Sequence, residues 1–123
     1  MSYFDEEPST LVGAISTIVD NLTNSEISFI QRNKGNGLHH GFGTAIRNGW
    51  KLWDKDSILH KHFREVYGLG HADDMSRLIL SGVCAQLIHG YEFDLYKEVH
   101  KYKKHWIDYG IDPLTQEYLL TSV

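Results

Sequence analysis

A second cysteine is missing from this chain of 123 residues, so Cys84 has no intrachain partner and the stapled framework of a small secreted domain is excluded. A reducing compartment is the expectation. Also absent is any run of about 18 apolar residues that would span a bilayer, so no membrane association is expected. The first eight residues are acidic and lack the basic and apolar regions of a signal peptide, which predicts a cytoplasmic protein. A basic balance is missing too. The net charge is −4 and the pI about 6.0, which argues against a protein held to nucleic acid by its overall field. Internal repeats, low-complexity segments, sustained heptads and long alternating runs are likewise lacking, which removes solenoids, coiled coils and a β-sheet core from consideration.

What is present is the composition of one folding unit. Apolar residues make up 41% and charged residues 23%, and a chain this long buries one core rather than two. The expected organisation is a single helical domain over residues 1–123.

Apolar positions recur at helical spacing from end to end. Leu11, Ile15, Ile18, Val19 and Leu22 predict a helix over about 11–22, capped by Ser9 or Thr10. Asn24 or Ser25 is the expected cap of a short second helix carrying Ile27, Phe29 and Ile30, which the glycines of residues 34–37 would end. From Leu38, the positions Phe42, Ala45, Ile46, Gly49 and Trp50 make one stripe of a third helix. Glycine costs a helix roughly 1 kcal/mol relative to alanine. Gly41 and Gly43 are therefore expected to serve close approach by another backbone or by a ligand. Asp54 and Asp56 offer caps for a helix through Ile58, Leu59, His62, Phe63 and Val66, stopped by Gly68 and Gly70.

The most apolar stretch runs from Met75 to Ile88, with Asp73 or Asp74 as its expected cap. Its apolar residues cover more than one face, as in a helix contacted on several sides. A late helix starts near Asp94 and carries Leu95, Val99, Tyr102 and Trp106, ending at Gly110. Asp112 and Pro113 predict a short terminal helix. The fold expected is all-α: an irregular bundle of about five to seven helices around a central helix at roughly 74–89.

Two blocks carry a resemblance. GFGTAIRNGWKLW at 41–53, preceded by histidine, fits the pattern H-x-G-x-G-x-x-I-R-N-x-x-x-L-W, and HADDMSRLIL at 71–80 fits H-x-D-D-M-S. In this order the blocks resemble a family of small bacterial and phage proteins catalogued as domain of unknown function number 6794, over roughly residues 8–90. The resemblance implies a fold and a distribution in bacteria and phages. It implies no activity, ligand or catalytic residue, and the segment from about 91 to 123 is a helical extension outside it.

Chemistry has few places to sit. His40 and Arg47 are seven apart, which puts them on one side of a helix, with Asn48, Thr44 and Gly41 on the neighbouring line. If Asp73 or Asp74 faces that stripe, then His40, Arg47, Asn48, Asp73 and Asp74 form a candidate site for an anionic or nucleotide-like ligand. The structural alternative is that Arg47 pairs with Asp73 or Asp74 and joins two helices, and it is favoured because buried charges normally occur paired. Eight histidines invite a metal hypothesis, but spacing opposes it. Neighbours such as His39 and His40 point about 100° apart on a helix, His60 and His62 about 200° apart, and no H-E-x-x-H or paired-cysteine set occurs. Neither metal nor cofactor is expected.

Residues 34–37 would offer backbone N–H groups to a phosphate but lack the G-K-[ST] order of a Walker loop. Cys84 reads as a small core hydrophobe, and no serine sits in a nucleophile elbow. The basic helix at 97–105, with Lys97, His100, Lys101, Lys103, Lys104 and His105 among aromatic residues, would contact nucleic acid only against the dilution by Asp94, Glu98 and Asp108. Nucleic acid is accordingly a disfavoured partner. The leading expectation is a non-enzymatic interaction or regulatory protein, a phage accessory or host-interaction factor binding another protein, with self-association left open. Behind it stand a small-ligand binder or minor enzyme built on His40, Arg47, Asn48 and Asp74, and then nucleic-acid binding through residues 97–105.

Overall fold

The computed structural model describes residues 4–119, and over these it contains six helices and no strand. Helix α1 (Leu11–Asn21) starts where the Thr10 hydroxyl accepts the Gly13 N–H at 3.0 Å, and its stripe of Leu11, Ala14, Ile15 and Ile18 is buried. Helix α2 (Asn24–Arg32) is capped by Thr23 rather than by Asn24 or Ser25. The reason is reciprocal: Thr23 accepts the Glu26 N–H at 3.1 Å while the Glu26 carboxylate accepts the Thr23 N–H at 2.9 Å, which satisfies two donors at once.

Helix α3 (Phe42–Gly49) begins four residues later than the expected start at Leu38. Gly35 and Gly37 both adopt positive φ, and the intervening turns bring the buried Leu38 to the core, where its carbonyl accepts the Gly43 N–H at 2.8 Å. His39 and His40 therefore precede α3, and the seven-residue spacing from His40 to Arg47 carries no helical meaning. Of the two glycines assigned to close approach, Gly41 faces open space. A Cβ on Gly43 would stand 3.0 Å from Nη1 of Arg47, so the room it leaves is used by a side chain, not a backbone.

Helix α4 (Ile58–His62) is capped by Ser57, since the Asp54 carboxylate is taken by the Asp56 N–H at 2.8 Å. It passes into a π-helical turn (Phe63–Tyr67) that Gly68 ends at φ 68°. Helix α5 (Ala72–Leu87) is the central element. Met75, Leu78, Ile79 and Val83 are fully buried, and α1, α2 and α3 pack on it, with α6 touching it more lightly. Gly82 allows that packing: an added Cβ would come within 2.1 Å of the Ile15 side chain on α1. The α5 cap is neither aspartate. The His71 imidazole accepts the Asp73 N–H at 3.0 Å, so the helix starts earlier and both acids fall in its first turn, facing the positive end of the helix dipole.

Helix α6 (Leu95–Asp108) starts at the expected Asp94 cap and buries Val99 and Tyr102. Among the described residues the terminal helix predicted at Asp112 and Pro113 does not form. The Asp112 carboxylate accepts the Leu114 and Thr115 N–H groups at 2.8 and 3.2 Å, and Gln116 at φ 62° turns the chain back, so that Ile111 bridges Tyr118.

Candidate functional site

The last turn of α3 delivers Arg47 to the first turn of α5. Its Nε lies 3.3 Å from Oδ1 of Asp73, Nη1 donates to Ser76 Oγ at 2.8 Å, and Nη2 donates to Thr44 Oγ1 at 2.9 Å. The network continues outward: Ser76 donates to the Asp73 carbonyl at 3.0 Å, and Thr44 donates to the His40 carbonyl. Arg47 is 7% exposed. A buried guanidinium without partners would cost several kcal/mol, and here the pairing is made inside the chain.

Adjacent acids go to different helices. Successive residues of a helix point about 100° apart, so Asp73 meets α3 while Asp74 meets α6. The buried Asp74 carboxylate accepts the Trp106 indole N–H at 2.7 Å. Burial pushes its pKa above the ordinary carboxylate value, opposed by the Trp106 hydrogen bond and, more weakly, by His71 and Arg77. Of the five residues singled out from sequence, the structure brings together Arg47 and Asp73. Asp74 is turned away, and His40 and Asn48 are exposed. Ser76 and Trp106 complete the two connections. Neither was singled out as a partner in the sequence, although Ser76 follows Asp73 by three residues, the spacing that returns a helical side chain to the same face.

A ladder of rings crosses the same end of α5. Trp53 and His71 meet edge to face with ring centroids 5.7 Å apart, His71 stacks on Trp106 at 5.0 Å with 26° between planes, and His105 lies 5.1 Å from Trp106 and 4.9 Å from Tyr109. Trp53 and Tyr109 end the ladder 56% and 70% exposed. Within the basic helix, Tyr102 is buried, Trp106 is held by Asp74, and Lys104 pairs with Asp108 at 2.7 Å.

Burial raises the Cys84 thiol pKa to about 11, so it is a protonated, weakly nucleophilic group at neutral pH. Among the described residues no three His, Cys, Asp or Glu side chains gather in a way that would hold a metal ion. No described helix is long and apolar enough to cross a membrane.

No curated protein and no solved structure matches the chain. A family model does match, over residues 7–87, which takes in α1 through α5 with the Arg47–Asp73 junction and leaves α6 outside: the chain belongs to the family described as Domain of unknown function (DUF6794).

Proposed function

We propose that the protein is a non-enzymatic interaction or regulatory factor that binds another protein through the aromatic ladder. The observation that carries this reading is the run Trp53, His71, Trp106, His105 and Tyr109, which keeps two large rings in water at its ends. Exposed aromatic surface is costly to hydrate, and Trp and Tyr are the side chains that most often dominate binding energy at interfaces. The internal pairing of Arg47 supports the same reading, because the guanidinium that would grip an anion at the α3–α5 junction is occupied by Asp73, Ser76 and Thr44. In the bacterial and phage setting that the resemblance implies, the protein would act in the cytoplasm and its partner would be a host protein.

The test is a paired capture experiment. Tagged wild-type protein is compared with the double variant Trp53→Ser/Tyr109→Ser, after circular dichroism has verified that the variant keeps its helices. A partner retained by wild type and lost by the variant is the expected result. A partner retained equally by both, or a wild type that retains none, would count against the reading.

A further inference from the structure

We propose that the groove between α5 and α6 is a binding site for a small organic anion, whose charged head meets Arg77 and Lys101 and whose body rests on Leu80 and Cys84. Two neighbouring cavities lie along this groove, of about 320 and 180 Å³, and Arg77, Lys101 and Tyr102 line both. The two cations therefore border both chambers. The larger volume is at the lower end of the range of about 300–1,000 Å³ in which small-molecule pockets fall.

Neither cation is spent. Arg47 has Asp73 and Lys104 has Asp108, but among the described residues Arg77 and Lys101 form no ion pair. Arg77 Nε and Nη2 lie 3.5 and 3.3 Å from the two ring nitrogens of His39. Burial, then Arg77 and Arg47, hold the His39 pKa below its ordinary value, so the ring is neutral. A neutral imidazole offers one lone pair and no charge, so the guanidinium keeps its charge and further N–H groups for a ligand. A guanidinium presents a carboxylate or phosphate with a fork that binds it bidentately.

The acids decide the ligand's direction. Asp73 and Asp74 line the smaller chamber and keep an anionic head from entering it, so the ligand lies in the larger one with its head at Arg77 and Lys101. There Leu80 and Cys84 give apolar contact, with Ser81 beside them. Tyr91 is a protonated donor at neutral pH, as a phenol ordinarily is, and burial raises its pKa further. Glu98 lines the same chamber with Tyr102 and is the acceptor available to a hydroxyl or amine on the ligand.

Binding to the full chain is measured by calorimetry and thermal shift at low ionic strength, with phenyl phosphate, benzoate, inorganic phosphate and phenol as probes. Phenyl phosphate or benzoate is expected to bind more tightly than inorganic phosphate or phenol, because head and body are joined; the tighter of the first two names the head group. Arg77→Gln and Lys101→Gln should each weaken binding about tenfold or more, the loss of a charge-assisted contact. Lys97→Gln, on the same helix but outside both chambers, should leave it unchanged. The Trp53→Ser/Tyr109→Ser variant should also bind normally, which separates this site from the protein-binding surface. No binding by any probe, a response equal for inorganic phosphate and phenyl phosphate with none to benzoate, binding retained in both Arg77→Gln and Lys101→Gln, or binding lost equally in Lys97→Gln would each overturn the proposal.

Discussion

Helix α5 has two polar flanks built on opposite principles. Toward α3, Arg47 is buried and its charge is answered within the chain by Asp73, Ser76 and Thr44. Toward α6, Arg77 is exposed and, among the described residues, forms no ion pair and has the His39 imidazole as its hydrogen-bond partner, while the buried acid on that flank, Asp74, has an indole N–H rather than a cation as its hydrogen-bond partner. The first arrangement is self-sufficient and ties two helices together. The second leaves charge available at a groove. The difference shows that an arginine next to an aspartate in sequence is a poor guide to pairing: Asp73 and Asp74 both lie near Arg77, yet Asp73 is claimed by an arginine 26 positions earlier.

The comparison can be broken most severely by cutting into the packing beneath it. Ile79 on α5 is fully buried, whereas Leu95 on α6 is half-buried in a helix that touches α5 lightly. Ile79→Ala should cost about 2–5 kcal/mol and Leu95→Ala about 1 kcal/mol or less, read from urea denaturation. Equal losses would mean that α6 is as integral to the core as α5.

A smaller effect separates the arginines. Arg47→Ala strands Asp73 and Ser76, and because Asp73 keeps contact with water the expected loss is about 2–3 kcal/mol rather than the larger penalty of a sealed pair. Arg77→Ala should change stability by less than about 0.5 kcal/mol, as for other surface substitutions. If Arg77→Ala proved the more damaging, the assignment of structural and available charge would be reversed.

The smallest effect is with pH. Burial lowers the pKa of His39 and His62 from 6.5, so below that value the unfolded chain binds more protons than the folded one. Stability is then full above about 6.5 and falls as pH drops toward the folded values. His62 has a specific reason, since its Nε2 accepts the Leu11 N–H at 3.0 Å and protonation removes that lone pair. Asp74 has the opposite sign: its folded pKa is raised above 3.8, so acid relieves its burial, beginning as pH falls through that raised value. Denaturation at pH 7.5 and 5.5 should show wild type losing stability and His62→Gln, which keeps an acceptor without a titration, losing less. An unchanged pH response in the variant would remove His62 from the account.

Much of the fold was legible because its signals are local. The stripe of Leu11, Ile15 and Ile18, the Asp94 cap and the glycine stop at Gly68 act over three or four residues, and the structure keeps them. The errors fell where several local signals competed. Thr23 won over Asn24 because Glu26 reciprocates its hydrogen bond. His71 displaced the aspartates as the α5 cap because an imidazole lone pair accepts an N–H as a carboxylate does. Asp112 captured two N–H groups in a turn where a helix was expected.

By itself, the sequence determined that the chain is helical and that Met75 to Val83 lies at its centre, because apolar periodicity and capping are properties of neighbouring residues. It also supplied the complementarity of Arg47 with two nearby acids. Which acid pairs with it was decided by tertiary structure, since the choice depends on how α5 is rotated between α3 and α6: one position along the helix turns a side chain by about 100°. The same rotation sent Asp74 to Trp106 and left Arg77 and Lys101 facing a shared groove, although they stand on different helices 24 residues apart.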